Sequence, residues 1–375
     1  MKEEHLHIVS FDIPYPPDYG GVIDVFYKLK ALNQLGVKIH LHCFEYNREE
    51  AAILNDLCAT VHYYKRNTAK SQLFNRLPYI IVSRAADALI ENLTGDDYPV
   101  LFEGLHCCYF LNDARLINKT RLVRTHNIEH DYYKSLARVE KDIFKRYYFY
   151  NEAEKLESFE PALQLANGVA AISINDTAYF NSRYNNAFYL PAFHANEVMS
   201  IKEGKSDYAL YHGNLSIGEN NEAALFLVND VFNDTDFKLI IAGNKPSKEL
   251  RLAVATNPDI QLHADVSIAE ITNLIQNAHV NILPTFQPTG IKLKLLTALY
   301  NGRHCLVNDV MVANTGLESL CEMANDATAF KEQLKKLFAK AFTVTDIEKR
   351  KKVLCENFSN TTSAQKLMDL LKKNS

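Results

Sequence analysis

Apolar residues follow two spacings along this chain, one typical of strands and one typical of helices. Polar loops separate the segments. Residues 7–11 and 37–44 have the length and composition of buried strands, and residues 22–35 between them repeat apolar positions as a helix does. Gly36 ends that helix. Further strand-like runs follow at 100–102, 122–124 and 168–172. Strands that alternate with helices form parallel sheets, so the first half predicts a doubly wound α/β domain.

The same alternation restarts after a polar stretch. Residues 195–207 have no periodicity and predict a linker. Beyond it, strands are predicted at 209–212, 237–242, 260–263, 279–283 and 304–307. A second series of strands and helices implies a second domain. We therefore predict an α/β fold with two doubly wound domains, 1–194 and 208–354, and a helical, charged final segment.

The composition narrows the class of protein. The 375 residues, 47% hydrophobic and 23% charged, suit a globular protein of two domains. A formal net charge of −4 gives no electrostatic reason to expect nucleic acid as the main partner. Seven cysteines without paired CxxC spacing predict neither a disulfide framework nor a structural zinc site. A polar start and the lack of an apolar run near ~20 residues predict a cytoplasmic protein.

Loops that leave the strands are the expected ligand sites, because ligands of open α/β sheets bind at the carboxyl ends of the strands. Gly20 and Gly21 precede a helix, where they either offer N–H groups to an anion or sugar hydroxyl, or form a tight turn. Glu103 and His106 follow a strand in the same domain. They are either an acid and base for an acceptor hydroxyl or a structural contact.

The segment 284–302 has the clearest chemistry. It joins a predicted strand to a helix whose first turn carries Lys292 and Lys294. Cations at a helix start are unfavourable unless an anion binds there, so the segment predicts a phosphate site with Lys292 facing the ligand. Lys294 would neutralise a neighbouring patch or hold a second group of the ligand, because residues two apart lie on different sides of a helix. The alternative is that both lysines are solvated and Gly290 only turns the chain.

Five loose motifs occur in an order typical of one family. They are PYPPDYGG at 14–21, THNIEH at 125–130, AIS at 171–173, GNLS at 213–216 and LLTALYNG at 295–302. With them the chain resembles the GT-B glycosyltransferases, in particular the large retaining group 1, or family 4. The resemblance implies two Rossmann-like domains facing an interdomain cleft. It also implies a C-terminal helix, about 355–375, that packs back on the first domain.

The resemblance also implies roles for individual residues. The acceptor would bind beside Gly20, Gly21, Glu103 and His106, and His126 would lie near the transferred sugar, oriented by Glu129 or His130. The donor, a nucleotide diphosphate sugar, would contact Gly213, Asn214, Lys245, Thr289, Gly290, Ile291, Lys292, Lys294 and Thr297. No metal and no cofactor are expected, because helix dipoles and cations stabilise a departing nucleoside diphosphate.

The donor motif departs from the family pattern. Thr289 and Thr297 stand where family members usually carry two glutamates, and Asn214 stands at a common arginine. The usual lysine of the next turn is replaced, with Glu219 or Asn220 near its position, and Lys245 is the candidate compensating cation.

Two functions follow from this pattern. The first is a hexosyltransferase-type enzyme that moves a sugar from a nucleotide diphosphate sugar to a glycan or lipid-linked acceptor in surface polysaccharide synthesis. The alternative is a GT-B-like protein that binds the nucleotide or sugar but has lost transfer.

Three further patterns have other interpretations. Residues 126–130 fit the HxxEH pattern of zinc proteases, but His126 follows a predicted strand and would lie in a loop rather than on a helix. Residues 234–236 form a DxD motif that precedes a strand, which favours a turn. Bases and aromatics between 63 and 84 predict either a solvated helix and loop or peripheral contact with an anionic inner-membrane surface.

Overall fold

The computed structural model of the protein describes residues 3–286 and 292–373. These residues form two compact units. The first unit runs to Ala195 and resumes at Phe358, and the second contains the described residues from Asn196 to Asn357. Each unit is built on its own parallel sheet.

The sheet of the first unit has the strand order of a doubly wound fold. Its strands are β1 (His5–Ser10), β2 (Lys38–Glu45), β3 (Thr60–Lys65), β4 (Val100–Glu103), β5 (Arg121–Thr125), β6 (Gly168–Ala171) and β7 (Ala187–Tyr189). Their order across the sheet is β3-β2-β1-β4-β5-β6-β7, and all pairs are parallel. The order reverses between β1 and β4, so the loops after these strands flank the switch point where ligands bind in such folds.

Helices connect these strands. They are α1 (Gly20–Gln34), α2 (Ile53–Leu57), α3 (Tyr79–Val82), α4 (Asp87–Leu93), α5 (Glu129–Val139), α6 (Ile143–Phe159) and α7 (Ile174–Tyr184). The core lies where β1 and α1 bury side chains such as Ile8, Val25 and Leu29. Strand β3 was not predicted, because only one of its six residues is buried and its sequence lacks an apolar run.

The second unit repeats the architecture. Its strands are β8 (Tyr208–His212), β9 (Lys238–Gly243), β10 (Ile260–Ala264), β11 (Val280–Leu283), β12 (His304–Val307) and β13 (Glu322–Met323). The order is β10-β9-β8-β11-β12-β13, with the reversal between β8 and β11. The helices are α8 (Gly218–Phe226), α9 (Lys248–Ala255), α10 (Ile268–Asn277), α11 (Leu293–Asn301), α12 (Asp309–Val312), α13 (Ala327–Ala339) and α14 (Val344–Asn357). The two sheets establish the predicted α/β fold class.

The last helix, α15 (Asn360–Lys373), belongs to the first unit and packs against α1. Its apolar face buries Leu367 and Leu371 in the core of that unit.

Polar residues of the segment predicted as a linker are engaged in the second unit. Asn196 Nδ2 donates to Thr297 Oγ1 at 3.3 Å, and Asn301 Nδ2 donates to Asn196 Oδ1 at 2.9 Å. Ser200 Oγ donates to Asn301 Oδ1 at 2.6 Å. This segment is therefore tied to α11 by side-chain hydrogen bonds.

The basic and aromatic segment between 63 and 84 is partly structural. Arg84 is buried and donates through Nη2 to the carbonyl oxygen of Phe11 at 2.9 Å, and Arg66 donates to Ser83 Oγ at 2.9 Å. Among the described residues, no helix combines the length and apolarity needed to cross a membrane.

Candidate donor and acceptor sites

Five charged or titratable side chains meet in the interior of the first unit. Asp24 and Lys28 lie one helical turn apart on α1, Glu103 ends β4, Arg124 lies in β5, and His126 follows β5. All five are buried. The parallel pairing of β4 with β5 sets Glu103 opposite Arg124. These two charges therefore lie together beside the switch point.

Asp24 is the centre of this buried charge cluster. Its carboxylate accepts from Lys28 Nζ at 2.9 Å, from Arg124 Nη2 at 2.9 Å and from the backbone N–H of Phe193 at 2.8 Å. Lys28 Nζ also donates to Glu103 Oε1 at 2.6 Å. Two carboxylates are thus balanced by two cations, which is the condition for burying such charges.

The electrostatics of the cluster follow from this pairing. Burial by itself would raise the pKa of Asp24, but the charges of Arg124 and Lys28 hold that pKa well below its ordinary value. Burial likewise opposes ionisation of Glu103, and Lys28 lowers its pKa. His126 Nε2 lies 3.2 Å from Asp24 Oδ2 and 3.4 Å from Glu103 Oε2. These two carboxylates outweigh burial and raise the pKa of His126, so the cluster favours its protonated form.

The cluster also contains three side chains of the types that bind metals. The ligand atoms of Asp24, Glu103 and His126 lie within 4.8 Å of one another. The charges around them do not suit a divalent cation. Lys28 contacts both carboxylates and Arg124 contacts Asp24, so an added cation would meet two cations already in place.

A second pair of titratable groups lies next to the cluster. His106 Nδ1 is 3.9 Å from Glu129 Oε1, and neither atom has a hydrogen-bond partner within the described part of the chain. Burial raises the pKa of Glu129 to about 7, although His126 and Asn127 act in the opposite direction. Burial, together with Arg84, lowers the pKa of His106 well below its ordinary value. A ligand hydroxyl placed between the His106 and Glu129 side chains would find both a hydrogen-bond acceptor and a hydrogen-bond donor.

Three glycines shape the surroundings of this pair. Gly104 has φ of +74°, and a Cβ there would lie 2.8 Å from His106 Nδ1. Gly21 lies against Phe11, since a Cβ at Gly21 would be 2.7 Å from that ring. The Phe11 ring is 5.6 Å from the ring of His106 and 5.5 Å from that of His126. Gly20 and Gly21 form the first turn of α1.

The histidines of the HxxEH pattern have separate environments. His126 contacts Asp24 and Glu103, whereas His130, in α5, lies 2.8 Å from the hydroxyl of Tyr179 through Nε2. The same nitrogen is 3.4 Å from Glu160 Oε2. The contacts of His126 thus come from Asp24 and Glu103 rather than from His130. The DxD residue Asp234 pairs with Lys331 at 2.6 Å, ahead of β9 and away from the carboxyl ends of the strands.

The second unit holds the predicted donor residues that follow β8 and β11. Lys294 Nζ donates to Asn220 Oδ1 at 2.8 Å and lies 5.3 Å from the centre of the Tyr211 ring. Asn220 Nδ2 in turn donates to the carbonyl oxygen of Asn214, in the loop after Gly213. A hydrogen-bonded connection therefore runs from α11 to the loop after β8, across the switch point of this sheet.

Both lysines are partly withdrawn from water. Burial lowers the pKa of Lys294 to about 8, while Glu219 acts in the opposite direction. Burial also lowers the pKa of Lys292, again opposed by Glu219. His212 is buried beside Lys294, and its Nε2 has no hydrogen-bond partner among the residues described. Burial and the charge of Lys294 lower the pKa of His212 to about 3, so it stays neutral.

A close approach of two loops completes this site. A Cβ at Gly243 would lie 1.9 Å from the carbonyl oxygen of Gly213, so only glycine allows the loops after β8 and β9 to pack in this way. Lys245, two residues further on, is exposed, with φ of +50° and its N–H bonded to Asp265 Oδ1.

Thr297 lies on α11 at one of the two positions where the family usually has a glutamate. Its hydroxyl donates to the carbonyl oxygen of Leu293 at 3.0 Å and accepts from Asn196. Thr289, Gly290 and Ile291 lie outside the described residues.

Sequence reasoning did not find Asp24, Lys28 and Arg124 as site residues. A signal was present in the pattern. Asp24 and Lys28 occupy positions one turn apart on the apolar face of α1, and Arg124 interrupts an apolar strand. Charged residues at core positions are rarely buried without partners, so such interruptions indicate a charge cluster.

Comparisons with known proteins agree with this architecture. The fold is shared with a glycosyltransferase from Rickettsia africae, with a TM-score of 0.65 and 12% identity over 100% of this chain and 99% of the other. It is also shared with the trehalose-6-phosphate synthase OtsA, with a TM-score of 0.66 and 10% identity over 98% and 99% of the two chains. These similarities and the two parallel sheets define a GT-B glycosyltransferase fold.

The second unit also matches a known family model. Residues 207–340 match the family model described as glycosyl transferases group 1, which confirms the resemblance to that group. The chain is also 28% identical over 359 residues to a Klebsiella pneumoniae protein described as an uncharacterized 44.6 kDa protein in cps region. That alignment covers 87% of this chain and 89% of the relative.

Proposed function

We propose that the protein transfers a sugar, of the hexose type, from a nucleotide diphosphate sugar to a glycan or lipid-linked acceptor. The observation that carries this proposal is Lys294, a partly buried cation joined to the loop after β8 at the switch point of the second unit. A partly buried cation whose hydrogen-bond acceptor is a neutral amide favours an anionic ligand, and a diphosphate supplies one. A relative described from a cps region supports a role in surface polysaccharide synthesis.

The donor would lie against the loops after β8, β9 and β11. Lys292 and Lys294 would neutralise the diphosphate, and Gly213, Asn214 and Lys245 would line the rest of the site. Cations and helix dipoles at a departing diphosphate stabilise the charge that develops as the glycosidic bond breaks. No step of this scheme requires a metal.

The acceptor would bind to the first unit, next to Gly20 and Gly21. The acceptor hydroxyl would lie between Glu129 and His106, with Glu129 taking its proton. His126, held by Asp24 and Glu103 within hydrogen-bonding range, would contact the transferred sugar. The roles rest on the burial of Glu129 and on the unpaired atoms that face each other across 3.9 Å.

A donor screen followed by a transfer assay tests the function. Calorimetry with nucleoside diphosphates of each common base should find one that binds, and the matching nucleotide sugar should be consumed when a glycan or polyprenyl-linked acceptor is added. Binding of no nucleotide diphosphate would reject the proposal.

The alternative function is nucleotide or sugar binding without transfer. Two features favour it: Thr297 accepts a hydrogen bond from Asn196 inside the second unit, and the charge of Glu219 acts on both lysines. Tight nucleotide binding without turnover of any nucleotide sugar, by acceptor transfer or by hydrolysis, would favour this alternative over the transferase.

Replacing Glu129 by glutamine should lower kcat by about 100-fold to 10,000-fold, the usual contribution of a general base. The carboxylate is the active form, so the rate of the parent enzyme should rise as the pH passes about 7, near the raised pKa of Glu129. The variant should lose this rise. The measurement is kcat as a function of pH, with exposed Glu157→Gln on the neighbouring helix α6 as the matched control. An unchanged profile in the Glu129 variant would exclude it as the base.

A further inference from the structure

The turn between α5 and α6 exposes an unusual set of large apolar side chains. Val139, Ile143, Phe144 and Tyr147 are 77%, 68%, 87% and 74% exposed. They are close together in sequence, at the end of one helix and in the first turns of the next. Single exposed apolar residues are common on proteins, but a cluster of this kind marks an interaction site.

The body of this helical hairpin buries side chains of both helices. Ala137 of α5 and Ala153 and Leu156 of α6 are buried, and Tyr133 and Phe149 meet edge to face with ring centres 5.9 Å apart. Residues 141–147 are all exposed. The hairpin therefore presents the apolar tip from a fixed base.

The tip also carries a concentration of positive charge. Arg138, Lys141, Lys145 and Arg146 are exposed between the apolar residues. The two acids nearby are occupied in local hydrogen bonds. Asp142 Oδ1 accepts from the N–H groups of Phe144 and Lys145 at 2.9 and 3.0 Å, and Glu140 Oε1 accepts from the N–H of Asp142. A chain of formal net charge −4 thus has a locally cationic tip.

We propose that this hairpin tip, residues 138–147, docks on an anionic lipid surface. Ile143, Phe144 and Tyr147 would enter the boundary between headgroups and acyl chains, and the four cations would contact the headgroups. Lysine and arginine suit this position because their stems lie along apolar surface while the charged ends reach the headgroups. A protein partner fits less well, because the cores of protein interfaces are depleted in lysine.

The proposal deepens the proposed function, since a lipid-linked acceptor would be presented at such a surface, but vesicle binding does not depend on transfer. It also assigns the contact to a different segment from the residues between 63 and 84. In that segment Arg84 is buried and Arg66 is half-buried with a side-chain partner.

Sedimentation of the full chain with lipid vesicles tests the proposal. The parent protein should bind vesicles of phosphatidylglycerol and phosphatidylcholine, bind pure phosphatidylcholine at least tenfold more weakly, and be released by salt. The double variant Ile143→Ser/Phe144→Ser should bind the anionic vesicles at least about tenfold more weakly. Lys145→Glu/Arg146→Glu should lose the preference for the anionic lipid.

The matched control is Leu252→Ser/Ile268→Ser, which removes two apolar side chains of 62% and 82% exposure from the second unit. It should bind vesicles as the parent does. All variants should keep the parent's thermal unfolding midpoint, because the changed side chains are exposed.

Several results would overturn the proposal: no vesicle binding by the parent, equal binding by the tip variants, or a tip that instead mediates self-association in size-exclusion chromatography. Nucleoside diphosphate affinity measured on the same variants separates the two proposals. A tip variant that loses vesicle binding but keeps nucleotide binding would support the docking role of the tip and leave the proposed donor site unaffected. Vesicle binding without any nucleotide binding would reject the proposed function and leave the docking surface.

Discussion

Replacing Asp24 by alanine should lower the free energy of unfolding of the first unit by about 3–5 kcal/mol. The variant removes the partner of two buried cations, because Lys28 and Arg124 both donate to this carboxylate. It also removes the acceptor of the Phe193 N–H. Uncompensated charge in the interior is costly, and this loss is a large part of the ordinary stability of a domain.

Denaturant unfolding followed by circular dichroism measures this effect. Glu157→Ala is the matched control, since it breaks a partly exposed ion pair with Lys134 of 2.7 Å in the same unit, and should cost less than about 1 kcal/mol. An Asp24→Ala protein as stable as the control variant would show that the cluster contributes little.

The pH dependence gives a second measure of the same cluster. The pKa values of Asp24 and Glu103 are lowered in the folded protein, so their stabilisation is present above the ordinary pKa of a carboxyl group, about 4, and is lost as the pH falls below it. Asp24→Ala should therefore reduce the loss of stability in acid relative to the control.

Replacing Lys294 by alanine should weaken the binding of the nucleoside diphosphate by about 10-fold to 100-fold, the usual range for a charge-assisted hydrogen bond. Lys292→Ala should weaken it in the same direction. Binding of the free nucleoside should change little in either variant, because the lysines are proposed to contact phosphate only. Isothermal titration calorimetry measures both ligands, and the exposed Lys248→Ala serves as control.

Proton uptake offers a sharper test of Lys294. Its pKa is about 8 in the free protein, so part of the population is neutral at pH 8. A bound diphosphate favours the charged form and raises the pKa, so binding should take up protons. Calorimetry in two buffers of different ionisation enthalpy detects this uptake, which Lys294→Ala should abolish. Equal affinity and equal uptake in parent and variant would remove Lys294 from the phosphate site.

The sequence predicted the strands that contain short apolar runs, such as β1, β4 and β11. These elements are determined by local composition, so a single sequence is enough to find them. Strands β3, β7 and β13 were missed, because β3 has one fully buried residue, β7 has none, and β13 has only two residues. Short strands at the edge of a sheet depend on pairing with a neighbour, which local composition does not record.

The candidate sites were predictable to different degrees. The sequence pointed to His126, Lys292 and Lys294 through their positions after strands and at a helix start. It also predicted that the loops carrying them lie at the carboxyl ends of the strands. The contact of Lys294 with Asn220 was not predictable, since the two residues come from different loops.

The sequence by itself determined the two α/β units and the loops that leave their strands, and it predicted an anion site at α11. Only the tertiary structure decided which charges meet. Asp24, on α1, and Arg124, in β5, are 100 positions apart and form an ion pair in the interior, where the parallel register also sets Glu103 opposite Arg124. Apolar patterning is a local property of the chain, whereas the pairing of buried charges depends on contacts between distant segments.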